Sequence, residues 1–247
     1  MRRLGRRSAA RAGRVERSSA PYARPVAEVI PLFPLGTVLF PGLLLPLNVF
    51  EPRYRRLVQD LLELPEEERR FGVVAIRQGR EVGAEGVQAL HAVGCTAAVR
   101  RVDEQDDGRF HLVATGADRF RLEELDAVGK PYLQGRVSWL GEDPGEDPEG
   151  LIPGAQQAFS SYLGALGTAR GVEIEVPDLP SDPQLLSYLV AATVVVDLPD
   201  KQELLAAPTT VARLRAELSL LRREQVLLTT LIAAPAPELT RVPFNPN

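Results

Sequence analysis

Chemically versatile side chains are most concentrated at Phe50, Glu51, Arg53 and Tyr54, in the run FEPRY. A carboxylate, a guanidinium and two aromatic rings at one corner can grip a polypeptide, through charge-assisted hydrogen bonds and ring contacts. The same residues also have a purely structural reading. Glu51 can cap a helix or complement its dipole, Tyr54 can join a buried stripe, and Arg53 can pair with a nearby acid. All four stand as peptide-binding candidates, and none is assigned a catalytic role. A metal site fails on geometry. On one strand, four residues at about 3.3 Å each put His91 and Cys95 roughly 13 Å apart, whereas zinc holds its donors at about 2.0–2.3 Å. A turn at Asp106-Asp107-Gly108 would carry His111 towards Arg101, away from both. Cys95 then reads as a small core hydrophobe. The sequence has no G-x-x-x-x-G-K-[ST] phosphate loop and no G-x-S-x-G elbow. Gly129-Lys130 runs into Pro131, and neither Lys130 nor Lys201 stands beside a serine in a recognisable peptidase setting. No cofactor, no metal and no enzymatic activity are expected.

The elements that must position this corner follow from the flanking residues. Ile30 to Tyr54, IPLFPLGTVLFPGLLLPLNVFEPRY, reads as strand, tight turn, strand and helix start. Gly36 and Pro41-Gly42 are turn formers, since proline presets φ and glycine accepts positive φ. Leu43, Leu45, Leu47 and Val49 share one face of an extended segment, with Leu44 and Phe50 on the other. That pattern predicts a strand covered on both sides. Pro31, Pro34 and Pro46 cannot donate ladder hydrogen bonds, so they mark edges or bulges. Pro52 suits the first position of a helix. Tyr54, Leu57, Val58, Leu61 and Leu64 then form its buried stripe, with Arg53, Arg55, Arg56, Asp60 and Glu63 facing water.

This stretch resembles a known family. P-L-F-P-L-G-x-V-L-F-P-G followed by L-P-L-x-x-F-E-P-R-Y is similar to the opening of the Lon N-terminal, or Lon substrate-binding, domain. FEPRY is similar to the form found in small proteins carrying this domain alone. G-A-D-R-F-R-L resembles the family's G-x-x-R-F-x-I segment, with Gly116, Arg119 and Phe120 matching. The run from Asp197 to Pro208 resembles the short helix ahead of the family's last one. The likeness covers about residues 28 to 233. It implies a twisted, partly closed sheet of the PUA-like kind and a protein-binding module. The ATPase and Ser-Lys peptidase modules of a full Lon protease find no match here.

Further along, Phe71 to Ile76 reads as a central strand, Gly79 to Gly86 as a loop, and His91 to Val102 as a long strand. Arg109 to Thr115 and Arg119 to Leu125 read as two more, and Tyr132 to Leu140 alternates with Leu133, Val137 and Trp139 on one face. Residues 141 to 150, GEDPGEDPEG, read as a solvated acidic linker. The period then changes from two to 3.6. One helix carries Leu151, Ala155, Ala158, Phe159, Tyr162 and Leu166. Asp182-Pro183 is an N-cap with proline behind it, opening an apolar helix to about Val196. Val211, Leu214, Leu218, Leu221, Gln225, Leu228 and Ile232 make a heptad stripe on a closing helix. That stripe packs on the preceding helices or, alternatively, seams a dimer.

The expected class is therefore α+β: a β-rich PUA-like, partly closed sheet with one helix, followed by a helical bundle. The expected layout is a disordered arginine-rich tail over 1–26, a β-rich part over 27–140, the linker over 141–150, a helical part over 151–234 and a C-terminal tail over 235–247. Composition agrees with a folded protein: 45% hydrophobic and 25% charged residues over 247. One cysteine excludes an internal disulfide. No apolar run approaches the roughly 18 residues of a membrane helix, so a cytoplasmic protein with no membrane partner is expected. Residues 1 to 25 hold eight arginines and one acid, +7, leaving −11 for the remainder of a chain at −4. The tail has the composition of a nucleic-acid arm, of a transit peptide, or of a plain solvated extension. The acidic body argues against general nucleic-acid binding outside it. The leading expectation is a non-catalytic module for unfolded or extended polypeptide segments, serving a protease or a dedicated protein partner, as a monomer or weak dimer. Two alternatives stay open: an RNA-binding PUA-like protein, and an enzyme with a dispersed site.

Overall fold

The computed structural model describes residues 28–79, 87–126, 129–176 and 178–233. The readings made for the two tails and for most of the loop after Gly79 lie outside these residues. Seven strands come first in chain order, interrupted by one helix: β1 (Glu28–Leu35), β2 (Leu44–Val49), α1 (Pro52–Leu62), β3 (Arg70–Gly79), β4 (Val87–Leu90), β5 (Val93–Glu104), β6 (Phe110–Asp126) and β7 (Gln134–Trp139). Four helices follow: α2 (Ile152–Arg170), α3 (Pro183–Thr193), α4 (Leu198–Ala206) and α5 (Thr210–Ala233).

Five strands close a ring. β1 pairs antiparallel with β7 and parallel with β3, and β7–β6, β6–β5 and β5–β3 complete the circuit. β2 and β4 hang outside it, on β6 and β3. The interior is filled by Ile30, Leu32, Val74, Phe120 and Val137. So small a ring has room for the Phe120 ring only where facing positions lack side chains. A β-carbon on Gly94 would lie 2.4 Å from Phe120 Cζ, and one on Gly72 2.8 Å from it. Phe71 to Ile76 is buried on both faces, as its apolar run requires.

Alternation sends the neighbouring side chains outwards. Phe33, Phe71, Val73, Cys95 and Ala97 join a second apolar cluster with Tyr54, Leu57 and Leu61 of α1. The same cluster takes in Phe159 and Tyr162 of α2, Leu186 of α3, Leu204 of α4 and Leu214 of α5. Helix starts follow the local chemistry: Asp182 accepts from Leu185 N at 2.8 Å, and Asp197 accepts from Asp200 N at 3.1 Å. The stripe on α5 packs on α2 and α3, with Val211, Leu214 and Leu221 buried.

Several expectations are corrected. The two strands expected over 109–125 are one 17-residue strand, β6, running straight through Gly116. That glycine allows close approach instead of a break: Gly116 N donates to Leu43 O, and a β-carbon there would sit 2.2 Å from Phe40 O. His91 lies between β4 and β5 rather than on a strand with Cys95, its N–H bound to Ala75 O. His111 stands opposite Asp103, not Arg101, because the hairpin closes at Gln105, whose N–H donates to Arg109 O and whose carbonyl accepts from Gly108 N, setting Glu104 opposite Phe110. α3 stops at Thr193, short of Val196.

Candidate functional site

The corner residues meet at the end of β2. Gly116 N donates to Leu43 O, so by antiparallel alternation Leu45, Leu47 and Val49 bond to β6. The backbone groups of Leu44, Pro46 and Asn48 then point to the other side, where among the described residues no strand pairs with β2. Pro46 therefore costs the ladder nothing, and the edge assignment holds for it; Pro31 and Pro34 instead lie in β1 within the ring, opposite Gln134 of β7 and Val74 of β3. The expectation of a strand covered on both sides does not hold. Leu43, Leu45 and Leu47 pack on the core, but Leu44 is 69% and Phe50 51% exposed. β2 lies outside the ring, so no layer reaches its outer face.

Beside this free edge is a cleft of about 130 Å³ between the end of β1 and the end of β2. Phe33, Pro34 and Leu35 form one wall, Asn48 and Phe50 the other, and Glu51 and Tyr54 close it. Tyr54 is buried and stacks on Phe33 at 4.1 Å. The Arg53 guanidinium lies 4.6 Å above the Tyr54 ring and pairs with Glu51 at 3.0 Å. Glu51 is the N-cap residue of α1, yet its side chain makes no capping bond. Tyr54, Arg53 and Glu51 fix the chain direction, while Phe50 is presented to solvent. Two other residues expected on α1 change places: Leu64 is exposed, and Asp60 is largely covered. Burial of Asp60 works against its charge, but hydrogen bonds from Lys130 and Tyr132 hold its carboxyl below the usual range.

A second polar cluster joins the sheet to the helices. Arg119 points away from the ring interior that its neighbour Phe120 fills. It donates to Leu205 O and Ala207 O at the C-terminal end of α4 and to Glu142 at 2.7 Å. Glu142 also accepts from Tyr188 of α3 at 2.7 Å. Arg213 of α5 is fully buried and donates to Leu204 O, Ser187 Oγ and Tyr188 Oη. Lys201 caps the carbonyls of Ala191 and Ala192 near the end of α3. Cations at helix C-termini complement the dipole. Burial lowers the Lys201 ammonium to about 8 and raises the Tyr188 hydroxyl. Glu217, one turn from Arg213, has no exposed surface, and among the described residues neither oxygen finds a donor. Burial pushes its carboxyl well above the ordinary range, against the pull of Arg213 and Lys201.

Sequence reasoning passed over this cluster. Arg119 entered only as a motif residue, and the segment holding Glu142 was read as solvated. Most of that segment is exposed, but Glu142 reaches back and Thr210 N donates to Asp143 O. A signal existed on α5: Thr210, Arg213, Glu217 and Leu221 recur at spacings of three and four beside the apolar stripe. Among the described residues, no three His, Cys, Asp or Glu side chains gather as metal ligands, and no helix is long and apolar enough to cross a membrane. Burial pushes the Cys95 thiol up to about 12.

A family model described as the ATP-dependent protease La (LON) substrate-binding domain matches residues 29–223. Lon protease 2 of Sorangium cellulosum is 30% identical over 217 residues, which is 85% of this chain and 26% of that protein. Lon protease 1 of Thermus thermophilus is 30% identical over 201 residues, covering 79% and 24%. The chain thus spans about a quarter of the length of these curated relatives. Among solved structures, a Lon N-terminal domain protein from Xanthomonas campestris superposes with a TM-score of 0.56 at 24% identity, covering 78% of this chain and 98% of that one. The N-terminal domain of a Mycobacterium avium complex Lon protease gives a TM-score of 0.57 at 14% identity, covering 79% and 98%. These two likenesses concern the fold.

Proposed function

The chain belongs to the LON substrate-binding domain family, and from that premise we propose that it is a non-catalytic module that binds extended polypeptide segments along β2. The observation that carries this reading is the free edge of β2 beside the cleft, with Leu44 and Phe50 exposed. An incoming segment adds as a further strand, exchanging backbone hydrogen bonds with Leu44 and Asn48 and donating to the Pro46 carbonyl. Affinity then comes from main-chain bonds, and selectivity from a side chain seated against Phe33 and Tyr54. Phe50 is the direct contact in this reading. Glu51, Arg53 and Tyr54 hold the wall in place. The sequence has no phosphate loop and no nucleophile elbow, which supports a binding role serving a protease or another protein partner. The family's substrate-binding description and the single cysteine are in keeping with a cytoplasmic setting.

The test is fluorescence anisotropy with a labelled, permanently unfolded polypeptide and, separately, a structured RNA. Polypeptide binding that survives moderate salt and falls about tenfold, or about 1.4 kcal/mol, in Phe50→Asp and Leu44→Asp at unchanged melting temperature supports the proposal. Binding unaffected by either change removes β2 as the site. Binding of RNA alone transfers the reading to a nucleic-acid protein.

A further inference from the structure

A segment added to β2 presents every second side chain on the outer face of the sheet, level with Leu44, Pro46 and Asn48, because directly paired residues share a face. That face is hollowed. A depression of about 500 Å³ is lined by Pro46 and Asn48 of β2, His111 and Val113 of β6, and Arg101 and Asp103 of β5. The register sets these side chains in two rows across the three strands. Pro46 stands opposite Val113, and Val113 opposite Arg101. Asn48 stands opposite His111, and His111 opposite Asp103. Asn48 also lines the cleft beside Phe50, so hollow and cleft meet along the β2 edge.

The rows differ in chemistry. Leu44 and the pair Pro46 and Val113 offer apolar surface. The other row offers donors: Asn48 and His111 are exposed, and neither side chain has a hydrogen-bonding partner among the described residues. Asp103 is the one acid in the lining, and it is taken by Arg101 at 2.7 Å. Arg100, beside the irregularity in β5, donates to Thr115 Oγ1 at 3.2 Å and meets no carboxylate among the described residues. This face is therefore locally cationic on a body whose net charge is strongly negative, and the free donors suit an acidic side chain. Strands spaced ~4.8 Å apart put an incoming residue one spacing from Asn48 and two from His111. Aspartate reaches the first, and glutamate extends past it to the imidazole.

We propose that the segment bound at β2 carries a glutamate opposite Asn48, held by the Asn48 amide and the His111 ring, with apolar residues opposite Pro46 and Leu44. The inference rests on strand addition at β2 and gives it a selectivity: apolar, apolar and acidic at every second position. Asn48 and His111 are the residues that determine it.

Fluorescence anisotropy of the full chain with labelled peptides tests this. The probes contain Glu-Thr-Val-Thr-Val, the same sequence with glutamine or lysine in place of glutamate, and all of these in reverse order, to serve either strand direction. In one order, glutamate should bind about tenfold more tightly than lysine at low salt, with glutamine between them. His111→Glu should reverse the preference towards lysine. Asn48→Asp, nearly identical in shape and on the exposed edge, should do the same independently, with circular dichroism showing the shared fold. Equal affinities for the peptides, or a glutamate preference that persists in both variants, overturns the inference. If binding still falls in Leu44→Asp, strand addition at β2 stands without it. Binding of none of the peptides, or binding indifferent to Leu44→Asp, overturns both.

Discussion

Replacing Glu217 by glutamine should make the protein more stable at neutral pH, by an amount that grows with pH. The carboxyl has no exposed surface and no donor among the described residues, and its nearest charges are Arg213 on its own helix and Lys201 on α4. Burial raises its folded-state pKa well above 4.5. A raised pKa means that folding holds a proton the unfolded chain releases. The stabilising linkage is complete below about pH 4.5 and is lost as pH climbs towards the folded value. Each pH unit inside that window costs at most about 1 kcal/mol, so wild type and Glu217→Gln should diverge by a few kcal/mol at most, on the order of 1–3, between pH 5 and 7. The glutamine keeps the shape without the titration. Glu217→Met also removes the unsatisfied polar burial, a cost of about 1–3 kcal/mol. Urea denaturation of the three proteins at pH 5, 6, 7 and 8 measures these differences, with the m-value showing whether the fold is shared. A glutamine variant less stable than wild type at pH 7, with a gap widening as pH rises, would refute the reasoning. It would show that Glu217 is ionised in the fold and paired with Arg213 and Lys201.

Other outcomes are expected from the same fold. Phe120→Ala should cost about 3–5 kcal/mol in urea denaturation, because the ring interior cannot collapse onto the space left between Leu32, Val74 and Val137. Gly116→Ala should lower the melting temperature by several degrees, since its β-carbon meets the Phe40 carbonyl and strands cannot part locally. Arg119→Met should cost about 2–5 kcal/mol, because the buried carbonyls of Leu205 and Ala207 lose their donor and Glu142 keeps only Tyr188. In a double-mutant cycle with Glu142→Gln, the coupling should exceed ~1 kcal/mol, and a value near zero would mean the pair is not formed in solution.

Local rules settled much of this protein from its residues alone. Proline and aspartate fixed the starts of α1 and α3, because a cap and a missing N–H act within one turn. The run Phe71 to Ile76 was legible as a central strand, and the change of period after residue 150 marked the helices. Pro46 announced an edge, and the corner around Phe50 was found by its composition. Tertiary structure decided what those elements face. Leu44 and Phe50 match core residues in type, and only the position of β2 outside the ring leaves them in water. Gly116 reads as a break until Phe40 is seen pressed against it. Arg119, Glu142, Lys201, Arg213 and Glu217 look like ordinary surface charges, since a charged side chain carries no local mark of burial. What buries them is the meeting of a sheet with helices whose terminal carbonyls need donors, and those partners stand up to 88 residues apart in the chain.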